Sequence, residues 1–381
     1  AAERRCRMAA KRAAFLALAI ITAVISSGCW DALDINKKSL CTLVLTDRAG
    51  DNFVFYAEVP NLTLGQQQET SGAAHYDIVV GEGTTYTNAR RAINNQLDKP
   101  LFLGTVRALM LTDKLAKYGV EEYFYRMQTM VDYRRVLEVV TTHSSPEEIF
   151  SVKLENNVSL GYEIDDTITT LKDTGKLVIY TASDVLNFIY ADRSYVVANM
   201  DAVNGRLAFN GYTIMKGSHY AGFIHVDDAG GLVWLLGRNI VHTRAVPAGE
   251  YTAAVEIKCK SRKIRPQYVS GQVVFNIDMD FTAQLMYMND NISVDKKQAE
   301  VIKNELQSML LDELVKTVQH SQAIGCDYLE LWDVFRIHYP GVYRQLDWPS
   351  AYQNAAFNIT VTAELDPGGM MDMEAQGRKV S

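Results

Sequence analysis

The chain has 381 residues, with 38 basic and 45 acidic side chains, a formal net charge of −7 and 48% hydrophobic residues. An acidic balance argues against a nucleic-acid partner and against a generally basic, membrane-hugging surface. The length predicts two or three domains at about 100–200 residues each.

Lys11 and Arg12 precede an apolar run over 13–25 and a small-residue exit, Ser26-Ser27-Gly28. These are the three parts of a secretory signal. Cys29 follows directly, and small-small-Cys after a short apolar run marks a bacterial lipoprotein. Its thiol takes a diacylglyceryl group, the leader over 1–28 is removed, and Cys29 becomes the first residue. Two acyl chains then hold the protein to the membrane, at about 0.8 kcal/mol per buried CH₂. The two alternatives are a transmembrane anchor and ordinary cleavage that leaves Cys29 a free thiol. The apolar run counts 13 residues, and a spanning helix needs roughly 20. Ser26 departs from the apolar residue usual three places before the cysteine. Met8 is the expected start, with residues 1–7 upstream of it.

The leader holds five of the basic residues and one of the acidic ones, so 33 remain against 44, a net of −11. No second long apolar run follows, and the body reads as soluble and tethered. Beyond Cys6 and Cys29 the cysteines are Cys41, Cys259 and Cys326. An odd number without metal-like spacing reads as buried free thiols. Cys259 alternates with Val255 and Ile257 toward a core.

Residues 30–38 form a short polar tether that reaches at most about 30 Å. Strand, turn and strand follow over 39–59, ended by Pro60, and residues 61–74 read as a polar loop. A strand over 76–80 leads through a tight turn, Gly81-Glu82-Gly83, into a helix over about 87–97. The dinucleotide pattern lacks its third glycine, since Tyr86 stands there, and no phosphate cradle is expected. A strand over 101–111, a helix over about 113–130, a strand over 136–142 and a helix opened by Ser145-Pro146-Glu147-Glu148 complete an α/β region. Residues 153–200 read as helical and connecting. Asn204-Gly205 predicts a hairpin between 195–203 and 207–215. Asp227-Asp228-Ala229-Gly230-Gly231 reads as a solvated turn rather than a calcium loop. Leu232-Val233-Trp234-Leu235-Leu236 reads as core, with a partner-contact surface as the alternative.

The last third alternates strictly over 251–259, 273–287 and 357–365, which predicts half-buried strands. Between them an amphipathic helix over about 295–319 carries Ile302, Leu306, Met309, Leu310, Leu314 and Val318 on one stripe, with Asp295 and Gln298 placed as a capping box. A second helix spans about 328–338. The fold class is therefore α+β or mixed α/β and multi-domain, with antiparallel or mixed sheets packed by helices and a C-terminal sheet covered by one long helix. The expected divisions are a signal peptide over 1–28, a lipidated tether over 29–38, an N-terminal α/β region over 39–195 (with a possible break between 152 and 153), a C-terminal α+β domain over 196–365 and a disordered tail over 366–381.

No motif poises a catalytic group. None of the seven histidines (75, 143, 219, 225, 242, 320, 338) forms an i,i+4 ligand pair, and His-Glu-x-x-His, Gly-x-Ser-x-Gly and Cys-x-x-Cys are absent. His219 and His225, six apart, read as a solvated face rather than a metal site. Adjacent Asp165 and Asp166 diverge on any regular element. The chemistry predicts neither an enzyme nor a cofactor or metal site.

Several stretches in order resemble the Ger(x)C family, the lipoprotein C subunit of bacterial spore germinant receptors. They are Gly28-Cys29-Trp30-Asp31 with Ile35-Asn36; Gly81-Glu82-Gly83-Thr84 before Ala89-Arg90-Arg91; Leu101-Phe102-Leu103-Gly104 before Asp113-Lys114-Leu115-Ala116; Leu207-Ala208-Phe209, Tyr220-Ala221-Gly222-Phe223 and Gly231-Leu232-Val233-Trp234-Leu235; and Asp327-Tyr328-Leu329, His338-Tyr339-Pro340 and Trp348. The departures are Ser26 and Thr105, where the family pattern carries His. The resemblance implies a non-enzymatic, multi-domain subunit, anchored through diacylglyceryl-Cys29 to the outer face of the spore inner membrane. It would assemble with integral-membrane A and B subunits, and nutrient sensing would trigger ion and dipicolinate release. It implies no nucleic acid and no direct small-molecule ligand, the B subunit being the germinant binder. Only Cys29 carries over as a functional residue. The alternatives are an extracytoplasmic solute-binding lipoprotein, which needs a cleft between two similar lobes, and an exported hydrolase, which needs a nucleophile or a metal.

Overall fold

The computed structural model describes residue 15 and residues 35–60, 76–130, 132–154, 159–289 and 294–366. The rest of the leader, Cys29, the polar loop over 61–74 and the tail beyond 366 lie outside the described residues. In chain order the first part holds β1 (Ser39–Leu40), β2 (Leu43–Ala49), β3 (Asn52–Pro60), β4 (Tyr76–Gly83), α1 (Tyr86–Asn94), β5 (Leu101–Phe102), β6 (Ala108–Thr112), α2 (Asp113–Tyr118), α3 (Glu121–Thr129), β7 (Glu138–Thr142), α4 (Pro146–Phe150), α5 (Leu160–Asp173), α6 (Ala182–Tyr190), β8 (Ser194–Val203), β9 (Arg206–Lys216) and β10 (His219–His225). The remainder holds α7 (Gly230–Leu236), β11 (Val241–Ala248), β12 (Tyr251–Val269), β13 (Gln272–Met288), α8 (Lys296–Ala323), α9 (Leu331–His338), α10 (Pro340–Tyr343), α11 (Trp348–Gln353) and β14 (Ala356–Asp366).

Eight strands form one sheet in the order β10-β9-β8-β7-β6-β2-β3-β4. Its centre is parallel, from β2 through β6 and β7 to β8. Both flanks are antiparallel. The expected division after residue 195 does not coincide with the edge of this sheet. The Asn204-Gly205 hairpin forms as expected, with both residues at positive φ (54° and 76°). Its first strand, however, hydrogen-bonds to β7, so β8, β9 and β10 extend the first sheet. The break between sheets comes after β10.

Three local expectations also change. Gly81 and Gly83 lie within β4 rather than in a turn. A Cβ at Gly81 would overlap the Ala89 carbonyl oxygen, and one at Gly83 would overlap the Asn88–Ala89 backbone. Close approach of α1, not chain reversal, requires glycine there. The helix expected over 113–130 is broken at Gly119, whose φ of 129° ends α2. The strand expected over 101–111 is split by a 3₁₀ turn over Leu103–Thr105. Thr105 donates its hydroxyl to the Cys41 carbonyl at 2.9 Å and so fastens this turn beside β1.

The second sheet runs β11-β12-β13-β14. Its first three strands are antiparallel, but β14 pairs in parallel with β13, Val274 opposite Ala356. The helical crossover from β13 brings the chain back in the same direction, which a purely antiparallel reading overlooks. The expected capping box of Asp295 and Gln298 opens α8, and Ile302, Leu306, Leu310, Leu314 and Val318 are buried beneath it. A register shift between Cys259 and Ser261 moves the inward face of β12 from Val255 and Ile257 to Ile264 and Pro266, leaving Cys259 half-buried. One core runs through both parts, from Leu43 and Met110 to Phe275 and Leu310. A second core lies on the other face of the first sheet, beneath α1, α2, α3 and α6.

Candidate functional site

The parallel strands β2, β6, β7 and β8 end near Asp47, Thr112-Asp113, Thr142-His143 and Asp201. Ligands of open parallel sheets bind at this end. Here most of the polar groups bond one another, although Asp113 Oδ1 is buried without a hydrogen bond. Asp201 accepts from the His143 backbone N–H at 2.7 Å, from Asn210 Nδ2 at 2.8 Å and from Thr142 Oγ1 at 3.0 Å. His143 Nδ1 stands 3.2 Å from Asp201 Oδ2, and Nε2 stands 3.6 Å from Asp113 Oδ1. Burial would raise the Asp201 pKa, but the bonds from His143 and Asn210 prevail and hold it below the usual carboxylate value. Thr112 donates to the buried Asp47 carboxylate, and Lys117 reaches Asp113 at 3.2 Å. The network ties α2 to β7, β8 and β9. It contains no nucleophile, and among the described residues no group of three or more His, Cys, Asp or Glu is placed to hold a metal ion. Its members lie far apart in sequence, so no spacing announces it.

The remaining residues singled out from sequence fall as follows. Cys29 lies outside the described residues. Leu232-Val233-Trp234-Leu235 is buried in α7 and offers no contact surface. His219 and His225 are exposed, and His225 Nδ1 faces Asp227 at 3.2 Å. Asp165 meets Arg107 at 3.6 Å while the adjacent Asp166 faces solvent.

Two grooves border the second part. One of about 440 Å³ lies between β10 and α8, lined by Phe223, His225, Met309, Glu313 and His320 among others. The other, of about 830 Å³, is lined by the segment around Tyr180 together with Arg262 and Glu330. Tyr180 donates its hydroxyl to Glu330, whose pKa burial raises. Arg262 donates to the carbonyls of Trp234 at 3.2 Å, Gly237 at 3.1 Å and Leu235, so a cation caps the C-terminal end of α7. Both grooves are edges of a junction that binds the two parts together.

Trp234 packs within the second part, in α7. Its ring meets Phe281 edge-on at 5.1 Å, and Nε1 donates to Glu313 at 3.2 Å. Glu313 is mostly buried and also faces Arg244 at 3.5 Å. Trp234→Phe keeps most of the packing and removes that donor. We expect a loss of about 1.5 kcal/mol in urea unfolding.

The comparisons with known proteins agree with one another. Residues 31–202 match the family model described as the spore germination protein N-terminal domain. Residues 210–369 match the spore germination B3/GerAC-like C-terminal model. Spore germination protein A3 of Bacillus subtilis (strain 168) is 20% identical over 275 residues, covering 70% of this chain and 72% of that protein. The crystal structure of the GerBC protein superposes with a TM-score of 0.54 at 14% identity, covering 84% of this chain and 96% of that one, a likeness of fold. The two family models lie in tandem and together take in most of the sequence, so the chain belongs to the Ger(x)C family of spore germination proteins.

Proposed function

We propose that this chain is the C subunit of a nutrient-germinant receptor, held by acylated Cys29 on the outer face of the spore inner membrane. It works there without catalysis and assembles with membrane A and B subunits. The tandem match of both spore germination models, over 31–202 and 210–369, carries this reading. The bonds that Asp201 receives from its own neighbours accord with a role in support and coupling. The solute-binding alternative calls for two similar lobes. The two large sheets here have eight and four strands and unlike topology, which favours the receptor subunit.

The test is nutrient-triggered dipicolinic acid release from spores lacking this gene. Release is expected to fall on deletion and to return with the intact gene. Normal release across a broad nutrient panel in the deletion strain would count against the proposal.

A further inference from the structure

The charge of the first sheet is polarised along its strands. Leu43, Ala108 and Glu138 stand side by side at the start of the parallel strands. Off this end lie Lys37 and Lys38 before β1, Lys99 before β5, and Arg134 and Arg135 before β7. Ser39 Oγ bonds the Lys99 carbonyl at 3.0 Å, and Lys38 Nζ sits 4.1 Å from the centre of the Phe102 ring. Arg90 bridges the Asp132 carboxylate and the Leu101 carbonyl, which brings the segment over 132–137 beside β5. The acids at this end are mostly countered by bases: Asp132 is paired with Arg90, Glu138 faces Lys172 at 3.5 Å, and Asp98 adjoins Lys99. The opposite end gathers Asp47, Asp51, Glu82, Asp113 and Asp201.

The basic end is also apolar. Ile35 is 55% exposed, Val136 61%, Tyr190 54% and Met130 37%. Tyr190 stacks on exposed Tyr125 and bonds Gln128, whose carbonyl accepts from Arg135 at 2.9 Å. Basic and apolar groups are therefore interleaved on one rim of an otherwise acidic chain. Five residues separate Cys29 from Ile35, a reach of about 20 Å at most.

We propose that this rim is a membrane-contacting surface. Lys37, Lys38, Lys99, Arg134 and Arg135 meet anionic lipid headgroups, while Ile35, Met130, Val136 and Tyr190 enter the headgroup layer. The tether in this argument rests on the reading of Cys29 above; the rim itself does not. Attraction of this kind acts over a Debye length of about 8 Å at physiological salt, so the rim must lie close to the surface to be felt. The short tether keeps it there.

The experiment uses the mature chain carrying Cys29→Ser, which has no acyl anchor, and sediments it with vesicles. One set is phosphatidylcholine alone; in the other, part is replaced by phosphatidylglycerol. Binding is expected only to the anionic set and is expected to fall as salt is added. The quadruple variant K37E/K38E/R134E/R135E, checked for folding by circular dichroism, should bind roughly a hundredfold or more weakly, since each basic residue near such a surface contributes about fivefold. Reversal of Lys258, Lys260 and Lys263 on β12 should leave binding unchanged. No preference of the folded parent for anionic vesicles at low salt, or an equal loss from the β12 reversals, would overturn the proposal. Acylation is read separately, from the mass of the N-terminal peptide of membrane-extracted native protein, so the two ideas can fail independently.

Discussion

Cys29→Ala is expected to transfer the protein from the membrane fraction to the soluble fraction, and nutrient-triggered germination to weaken with it. The size of the effect follows from the anchor. At about 0.8 kcal/mol per buried CH₂, two long acyl chains contribute far more than any peripheral contact, whereas one chain gives only marginal, reversible binding. Among the described residues no helix is long and apolar enough to cross a membrane, so none of them replaces the lost lipid. Fractionation of spore membranes at low and high salt checks the prediction. A residual bound fraction that salt removes belongs to the basic rim. Full attachment of the alanine variant at high salt would sink the lipid-anchor argument.

Glu58→Ala lowers the stability of the fold by about 5 kcal/mol. Glu58 lies on β3 and is fully buried. Its carboxylate accepts from Leu160 N at 2.5 Å, Gly161 N at 2.9 Å and Thr42 Oγ1 at 2.6 Å, with Ser159 alongside. The first two are free N–H groups at the start of α5, where a negative charge also suits the helix dipole. Alanine leaves both backbone donors buried without an acceptor, at about 2 kcal/mol each, and opens a small void besides. Thermal or urea unfolding measures the loss, and a change below about 1 kcal/mol would show that water or a neighbour replaces the carboxylate. The pH dependence has a definite sign. Burial outweighs the hydrogen bonds and raises the Glu58 pKa above the ordinary glutamate value. The folded state therefore holds this proton more tightly than the unfolded chain does. Its contribution is fully present below the unfolded pKa and declines as pH rises through the folded one. Glu58→Gln cannot titrate, so the stability gap between parent and variant should narrow over that rise.

What the sequence made legible was local. Ser145 caps α4 as its place before Pro146 announces, and Asp295 with Gln298, three residues apart, form the expected capping box. Asn204-Gly205 and the stripe from Ile302 to Val318 are equally short-range signals. The misreadings involve partners distant in the chain. Whether β8 joins the first sheet or the second depends on β7, more than fifty residues earlier, and alternation within β8 is silent on that choice. Gly81 looked like a turn because the helix backbone pressing on it is invisible in composition. Nothing in the sequence marks Glu58 or Asp201, since their donors come from α5 and from the end of β7. Cys29 is the reverse case, a strong local motif that says nothing about the surface beside it. The basic rim emerges only when the sheet brings Lys37, Lys99 and Arg134 to one end.

The parallel pairing of β14 with β13 has a consequence for synthesis and quality control. The first sheet has all its strands once residue 225 has emerged. The second cannot close until its last strand arrives, because β14 follows the whole helical crossover. Until then β13 presents a bare edge seventeen residues long, and Gln307 of α8 lacks the Ala363 N–H that it accepts at 3.3 Å. Such an edge is a template for pairing with another chain, and pairings of this sequence separation form slowly. A chain stalled or clipped before Ala356 is therefore not a smaller working subunit but an aggregation hazard. The eleven residues of β14 are where a protease cut would do the most damage to the second half of the molecule.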